Sequence, residues 1–244
     1  MSNSYFQFKQ FIIHQDRCAM KVTTDACLFG AWVAEEDKSE KIITKGVLDI
    51  GTGTGLLSLM YAQKNSLANI DAVEIDEDVY TQAEENVAAS PFAERINIIH
   101  DDIKKSTFSK KYDCIISNPP FYEKEISSDN EKKNIAHHHS GLLLEELLGI
   151  IKGNLSSSGT FYLLLPFKRN EEIKKIILKE YLYVSKIVFV KQSTKHNYFR
   201  IMIAGKLSRE DHSETLIEEI SIWDDQQQYK ETFKELLKDY YLYL

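Results

Sequence analysis

The chain has 244 residues, of which 43% are hydrophobic and 27% are charged, and its formal net charge is −7. This balance is typical of a globular chain with room for one domain and a full core. Because no apolar run approaches membrane-spanning length and no signal-like segment opens the chain, we expect a soluble protein. The negative charge argues against a broad nucleic-acid footprint but leaves a local basic surface open.

The three cysteines, Cys18, Cys27 and Cys114, are widely spaced along the chain. Their number is odd and their spacing fits no metal-binding pattern, so we expect no metal and free thiols in a reducing cytoplasm. Cys114 falls in a predicted central strand, where a cysteine usually packs as a small buried hydrophobe. We also expect a monomer.

Residues 1–45 form a predicted N-terminal extension beside the site. Weak alternation over residues 5–13 predicts a short hairpin. The pattern over residues 24–34 predicts a helix, with Thr23 or Thr24 as its cap.

Strands and helices then alternate, which predicts an α/β fold with a doubly wound, mostly parallel sheet. The predicted strands are 46–50, 70–75, 96–100, 112–117, 159–165, 183–190 and 199–205, and the predicted helices are 55–64, 77–89, 142–154 and 169–180. A turn is expected at 156–159, a candidate further strand at 214–222 and an end helix at 224–240. No linker divides the chain, so we expect a single domain over 1–244, with a Rossmann-like core at 46–205 and a C-terminal strand and helix at 206–244.

A glycine-rich turn follows the first core strand, in the sequence Asp49-Ile50-Gly51-Thr52-Gly53-Thr54-Gly55. Glycine permits a tight turn and a close approach of the backbone to a ligand, and the helix that follows offers free N–H groups. Glu74 ends the next strand, at a spacing that lets its carboxylate accept hydrogen bonds from ribose hydroxyls. Because Gly-x-Gly-x-Gly differs from the dinucleotide fingerprint Gly-x-Gly-x-x-Gly, the turn predicts a nucleoside site rather than a pyrophosphate site.

The tetrapeptide Asn118-Pro119-Pro120-Phe121 follows the apolar run 112–117, where open α/β sheets place their sites. An exocyclic amine on a nucleobase or an amide is a poor nucleophile because its lone pair is delocalised. Asn118 Oδ1 and the Pro119 carbonyl can accept both of its hydrogens, and Phe121 can stack on the ring. The alternative is a plain Asn-Pro turn followed by a core phenylalanine.

These segments resemble, in order, motifs I to IV of class I S-adenosylmethionine-dependent methyltransferases. The four matches are 49–55, Glu74, Asp102-Ile103 and 118–121. More narrowly, residues 5–205 resemble the bacterial tRNA1(Val) adenine-37 N6-methyltransferases, with further matches at 6–11, 18–25, 31–32, 74–76, 85–87, 90–92 and 117–121. The N-terminal matches are the specific part, because the motif IV tetrapeptide also occurs in rRNA guanine and DNA adenine methyltransferases.

Two positions depart from the family pattern. The family tends to have Ala-Arg-His where this chain has Ala136-His137-His138, which puts any role of that arginine in doubt. It also tends to have glycine where this chain has Ala26, a change that is conservative in size.

The resemblance implies S-adenosylmethionine as cofactor and adenine 37 in the anticodon loop of tRNA1(Val) as the target. It also implies a seven-stranded sheet whose last strand inserts antiparallel. The implied cofactor-binding residues are Asp49, Gly51, Gly53, Gly55, Glu74, Asp102, Ile103 and Asn118, and the implied catalytic residues are Asn118, Pro119 and Phe121. Asp25 either contacts the cofactor or caps a helix.

Basic residues occur in small patches, most of which are typical of solvated surface. Lys9, Lys21, Lys195 and Arg200 are better candidates for contact with RNA, because they lie in or beside the family-like segments. Residues 191–200 mix cations with aromatic residues between two predicted strands, which suits phosphate contact and base stacking. A plain hairpin loop explains the same composition.

Residues 122–140 predict a long charged loop directly after the tetrapeptide. Such a loop is typical of a lid over the target base, or of a segment that is disordered without substrate. His137, His138 and His139 have no carboxylate or cysteine partner at metal-ligand spacing. A helix terminus or an RNA contact explains them better than a metal site.

Other functions remain open at this point. An rRNA guanine-N2 methyltransferase, or another nucleic-acid amino-methyltransferase, shares motif IV but is not expected to share the N-terminal segments. A protein glutamine methyltransferase typically carries tyrosine in the motif and a helical domain before the fold. The glycine spacing and the intact tetrapeptide argue against a nicotinamide-dependent oxidoreductase and against a non-catalytic nucleotide- or RNA-binding module. A thermal-shift experiment would separate them, since S-adenosylhomocysteine should stabilise a methyltransferase and NAD should not.

Overall fold

The computed structural model of the chain describes residues 4–18, 20–39, 44–119, 142–208 and 214–244. The predicted loop at 122–140, Phe121 and the histidines at 137–139 lie outside these residues. Within the described ranges, no helix is both long enough and apolar enough to cross a membrane.

Eight strands form one sheet, and two more form a small hairpin. The strands are β1 (Tyr5–Gln7), β2 (Ile12–His14), β3 (Gly46–Ile50), β4 (Asn69–Glu74), β5 (Ile96–His100), β6 (Tyr112–Ser117), β7 (Leu155–Pro166), β8 (Tyr183–Ser193), β9 (Tyr198–Lys206) and β10 (Leu216–Trp223). The antiparallel pair of β1 and β2 confirms the predicted N-terminal hairpin. The large sheet has the order β10-β8-β9-β7-β6-β3-β4-β5.

The sheet confirms the predicted doubly wound α/β fold. β9 is antiparallel to both of its neighbours, and every other adjacent pair in the large sheet is parallel. The inserted antiparallel strand is therefore present. The sheet has eight strands rather than seven, because the candidate strand at 214–222 pairs with β8 as β10.

Helices cover both faces of the sheet. The described helices are α1 (Thr24–Ser39), α2 (Leu56–Lys64), α3 (Glu77–Ala88), α4 (Leu144–Asn154), α5 (Asn170–Lys179) and α6 (Glu231–Leu237). One buried cluster joins the hairpin, α1, α2 and α6 on the first face, and includes Leu28, Leu57 and Phe233. A second cluster joins α4 and α5 on the other face, and includes Leu148 and Ile177.

The central strands are mostly apolar, because helices exclude water from both sides. Val47, Leu48 and Ile50 of β3 are at most 1% exposed. All three cysteines are free and buried, which confirms the interpretation of Cys114. In the described part of the chain, no group of three or more His, Cys, Asp or Glu side chains is arranged to hold a metal ion.

The turn predicted at 156–159 is instead an irregular part of β7. Tyr112 pairs with Leu155 and Cys114 pairs with Thr160, so extra residues bulge out of β7 between the two pairs. A Cβ at Gly159 would lie 2.8 Å from Leu155 Cδ1 and 2.9 Å from Asp113 O. The glycine therefore permits a close approach of two strands rather than a reversal of the chain.

The predicted end helix at 224–240 is also wrong in its first half. Asp224 Oδ1 accepts from Gln226 N at 2.8 Å and Gln228 N at 2.9 Å, and Gln227 has a φ of 60°. This side-chain-to-backbone turn competes with helix formation and reverses the chain. Only Glu231–Leu237 is helical.

Candidate cofactor and substrate site

Four parallel strands bring the predicted site residues to one edge of the sheet. Ile50 of β3 lies opposite Ser117 of β6, and β4 and β5 continue the same parallel register. Because parallel strands end on the same edge, the glycine turn, Glu74, Asp102 and Asn118 all follow there. The buried Ser117 Oγ donates to Ile50 O at 2.8 Å and so ties together the two strands that precede the glycine turn and Asn118.

The glycine turn leaves open space on one side. Gly51, Gly53 and Gly55 have φ angles of 70°, 59° and 82°, which side chains rarely adopt. A Cβ at Gly51 or Gly53 would meet no atom within 4 Å, whereas one at Gly55 would lie 3.5 Å from Val87 Cγ2. A ligand can therefore approach the backbone at the first two glycines, while the third closes against α3.

Asp49 lies beneath this turn with no exposure to solvent. Its Oδ2 accepts from Thr52 Oγ1 at 2.7 Å and from Ser58 Oγ at 2.7 Å. Its Oδ1 is buried and has no hydrogen-bond partner among the described residues. Burial raises the pKa of Asp49 to about 6, against the two hydroxyl hydrogen bonds, which lower it. The unpaired oxygen is an acceptor with a strong requirement for a donor.

Glu74 holds the turn through its side chain. One carboxylate oxygen accepts from Gly53 N at 2.9 Å, and the other accepts from Ile75 N at 2.9 Å and Asp76 N at 3.1 Å. Each oxygen of a carboxylate has two lone-pair directions. Glu74 therefore fixes the glycine turn and keeps capacity for a further donor such as a hydroxyl.

Asp102 follows β5 at the same edge of the sheet. A hydrogen bond from Lys104 N at 3.0 Å, together with the ammonium of Lys105, holds the pKa of its carboxyl below the usual range. It is therefore an ionised acceptor at neutral pH. Ile103 is half-buried and packs against the cluster on the face of α4.

Asn118 and Pro119 follow β6, beside the glycine turn. Asn118 is half-buried and Pro119 is buried. No described residue forms a hydrogen bond with the Asn118 amide, so within this part of the chain its oxygen is available to a donor. Phe121, the third predicted catalytic residue, lies outside the described residues.

A bulge in β9 puts Tyr198 and Arg200 on opposite faces of the sheet, although they are only two residues apart in sequence. Lys191 of β8 pairs with Tyr198, and the residue before it, Val190, pairs with Arg200. Phe199 is therefore an extra residue in β9. Tyr198 consequently packs with Phe167 and Phe189 on the face of α5. Arg200 lies on the opposite face, towards α1.

Arg200 contacts Asp25 across the sheet edge. Its Nε donates to Asp25 Oδ2 at 2.7 Å, in a pair whose side chains are 30% and 14% exposed. Thr23 Oγ1 accepts from Ala26 N at 3.3 Å, so Thr23 caps α1, and Asp25 lies in the first turn. Asp25 therefore pairs with Arg200, a contact that the sequence analysis missed.

The other three candidate RNA contacts lie in different places. Lys195 is exposed in the hairpin between β8 and β9, and Lys21 Nζ donates to Gln15 O. Lys9 Nζ donates to Lys238 O at 2.5 Å, and the following residue, Asp239, pairs with Lys64 at the end of α2. Because the nine-residue α2 spans about 13 Å, Lys9 lies well away from the glycine turn.

Sequence reasoning also missed the two hydroxyls that hold Asp49. Thr52 lies within the turn and Ser58 lies on the first turn of α2. Ser58 stands in a helix segment whose other residues are apolar, and such a serine needs a buried partner. That pattern was the available signal.

Solved structures identify the class of the fold. The chain resembles a protein described as an O-methyltransferase from Agrobacterium tumefaciens, with a TM-score of 0.64 and 14% identity over 88% of this chain and 96% of that one. It also resembles a protein from Listeria monocytogenes described as a class I S-adenosylmethionine-dependent methyltransferase, with a TM-score of 0.60 and 14% identity over 85% and 67% of the two chains. The fold is that of the class I S-adenosylmethionine-dependent methyltransferases.

Sequence relatives then identify the family. The family model of the methyltransferase small domain matches residues 35–149. A Dyadobacter fermentans protein named tRNA1(Val) (adenine(37)-N6)-methyltransferase is 41% identical over 98% of both chains. The chain belongs to this family of tRNA1(Val) (adenine(37)-N6)-methyltransferases, as the N-terminal segments predicted.

Proposed function

We propose that this chain methylates N6 of adenine 37 in the anticodon loop of tRNA1(Val), with S-adenosylmethionine as methyl donor. Relatives that match over the full length carry the corresponding name. The structural observation that carries the proposal is the position of Asn118 and Pro119 directly after β6, whose last residue is tied to the strand that leads into the glycine turn.

The residues at the turn fit the cofactor. Open space beside Gly51 and Gly53 accommodates the methionine portion, and the unpaired Asp49 Oδ1 suits a nearby donor. Glu74 would hold the ribose hydroxyls, and Asp102 with Ile103 would hold the adenine. S-adenosylmethionine supplies an electrophilic methyl group on its sulfonium.

Asn118 and Pro119 would hold the nucleophile. The Asn118 oxygen and the Pro119 carbonyl accept the two N6 hydrogens and orient the nitrogen towards the methyl group. Pro119 has no N–H to compete for these acceptors. Phe121 follows closely enough in sequence to stack on the base.

Positioning and electrostatics supply the catalysis. The methylated amine is acidic enough to lose its extra proton to water, so the mechanism needs neither a dedicated base nor a metal. We expect undiminished activity in the presence of a chelator.

The target base must leave its stack to reach Asn118. We infer that Lys9, Lys21, Lys195 and Arg200 contribute to contact with the RNA backbone. We further infer one domain over 1–244 that acts as a monomer in the cytoplasm, which light scattering and cell fractionation test.

The deciding experiment is methylation of unmodified tRNA1(Val) transcript, followed by nucleoside mass spectrometry and mapping to position. The matched control is the same transcript with guanine at position 37. We expect N6-methyladenosine in the first and no methylation in the second. Methylation of the guanine transcript at N2, or equal activity on free adenosine or a peptide, would overturn the proposal.

A further inference from the structure

One buried side chain joins the glycine turn to the N-terminal extension. Asn86 of α3 is 1% exposed, and its Nδ2 donates to Thr54 O and to His14 O, both at 2.9 Å. Its Oδ1 accepts from His14 N at 2.9 Å. A single planar amide thus uses both hydrogens and its oxygen on two backbone segments that are distant in sequence.

The segment held by this amide continues along α3. Arg17 N donates at 3.2 Å to Oε1 of Gln82, which is 2% exposed, and the Arg17 guanidinium pairs with Glu85 at 3.0 Å. Cys18 comes next and is 5% exposed. Burial, followed by the negative charge of Glu74, raises the pKa of its thiol to about 11.

Gln15, which is 5% exposed, joins the same segment to residues 21 and 22. The Gln15 side-chain Oε1 accepts from Val22 N at 2.7 Å, and its backbone carbonyl accepts from Lys21 Nζ. Residues 14–18 are therefore held by buried polar groups at both ends. They form an ordered layer on α3 rather than a loose tail.

We propose that residues 14–18 form one wall of the cofactor site and that Asn86 is the positioning residue that ties this wall to the glycine turn. The wall begins at the amide that holds Thr54 O, within the turn assigned to the methionine portion. It ends at Arg17 and the buried Cys18, where Gln82 of α3 accepts from Arg17 N. This inference rests on the proposed cofactor and assigns to it a segment that the motifs leave without a role.

A wall tied to the turn by one side chain couples two events. A ligand that fixes the turn also fixes residues 14–18, and by reciprocity a loosened wall weakens the ligand. We expect the effect on cofactor binding, since Asn86 ties the wall to Thr54 O in the glycine turn. Turnover at saturating cofactor is expected to change little.

Hydrogen exchange with and without S-adenosylhomocysteine tests the coupling directly in the full-length protein. We expect the ligand to slow exchange in the peptide that covers residues 12–18. Equal exchange in the two states overturns the inference. Should the wild-type protein fail to bind S-adenosylhomocysteine at all, the proposed cofactor fails instead, so the two failures are distinguishable.

Two variants of α3 separate the wall from the turn. Gln82→Ala removes the hydrogen bond to Arg17 and leaves the glycine turn untouched. Asn86→Ala removes the hydrogen bonds to His14 in the wall and to Thr54 in the turn at once. We expect Gln82→Ala to bind S-adenosylhomocysteine about five- to ten-fold more weakly, the factor for one lost hydrogen bond, and Asn86→Ala to bind it more weakly still.

The kinetic signature distinguishes positioning from general destabilisation. For Gln82→Ala we expect a raised KM for S-adenosylmethionine, with kcat and the KM for tRNA within two-fold of wild type. The matched control is Glu84→Ala, an exposed α3 residue whose side chain bonds only Tyr80 Oη in the described structure. If Gln82→Ala exchanges faster at residues 12–18 yet binds S-adenosylhomocysteine as wild type does, the wall has no role in the site. This test with Gln82→Ala does not depend on whether Asn86→Ala folds.

Discussion

Asp49 and Asn118 lie at the ends of adjacent strands, yet their side-chain oxygens differ in burial and in hydrogen bonding. Asp49 is fully buried and receives two hydroxyl hydrogen bonds on one oxygen, so its main effect is to organise the turn. Asn118 is half-buried and makes no hydrogen bond to a described residue. An amide left without partners at the edge of a sheet is suited to hold a substrate amine.

The role of Asn118 predicts a loss of turnover without a loss of cofactor. For Asn118→Ala we expect kcat to fall at least about 100-fold, the scale on which removal of one preorganised polar contact acts. Affinity for S-adenosylhomocysteine should change much less, because the glycine turn and Glu74 are untouched. Steady-state kinetics and calorimetry measure the two quantities, and methylation at a near wild-type rate would contradict the assignment.

Burial of Asp49 predicts a pH dependence of stability. Its folded pKa of about 6 exceeds the ordinary value of 3.8, so between these pH values the folded state binds the proton more tightly than the unfolded state. The contribution of Asp49 to stability is therefore largest below the lower value and declines as pH rises to about 6. The decline amounts to roughly 3 kcal/mol for a shift of this size.

Asp49→Asn isolates this contribution because the neutral amide does not titrate. Urea unfolding at several pH values should show the free energy of wild type falling relative to Asp49→Asn between pH 4 and pH 6, and then staying level. A difference that is constant over this range would mean that Asp49 is not the group responsible.

At the scale of elements, one glycine within a helix and one within a strand have opposite structural roles. Gly149 lies inside α4, and a Cβ there would meet no atom within 4 Å. Gly159 lies in the irregular part of β7, where the Asp113 carbonyl and the Leu155 side chain leave no room for a Cβ. The first glycine only loosens a helix, whereas the second permits two strands to pair.

Alanine substitution should therefore act in opposite directions. Gly159→Ala should lower the free energy of unfolding by about 1–3 kcal/mol, since backbone and core must shift. Gly149→Ala should raise it by roughly 0.5–1 kcal/mol, because alanine has lower conformational entropy when unfolded and a better helix propensity. Chemical denaturation of both variants checks the pair, and equal effects would refute the close approach at Gly159.

At the scale of the whole molecule, an acidic protein must dock RNA through a limited basic surface. Lys195 is exposed beyond the end of β8, whereas Arg200 is held by Asp25 and Lys9 by Lys238 O. Lys195 therefore needs to break no described contact to reach a phosphate. The four candidate RNA-binding cations are therefore not equivalent, although the sequence analysis does not distinguish them.

Lys195→Ala should lower the slope of log affinity for tRNA against log salt by about 0.7 to 0.9, the effect of one lost phosphate contact. Cognate and non-cognate tRNA should weaken alike, because a phosphate contact does not read sequence. Lys179→Ala is the matched control, as this exposed lysine ends α5 near the opposite end of β8. An unchanged slope for Lys195→Ala would place the RNA surface elsewhere.

Sequence alone predicted the site residues whose positions depend only on the strand that each of them ends. Glu74 and Asn118 each end an apolar run, and a parallel sheet then aligns the ends of those runs without further information. Contacts between distant segments were not predictable in this way. The pair of Asp25 and Arg200 depends on the single extra residue at Phe199, and the bulge in β7 depends on the fit of Gly159 against β6, neither of which leaves a periodic signal.

The position of β9 has a consequence for how the chain is made. β9 lies between β7 and β8 but is synthesised after both, so a nascent chain that ends at residue 197 holds two strands with the place between them empty. The buried residues of β7, including Leu163 and Leu164, then lie at an unpaired edge that can join another chain. Ribosome stalling before residue 206 is therefore expected to yield aggregation-prone fragments, and the protein completes its sheet only as its last quarter emerges.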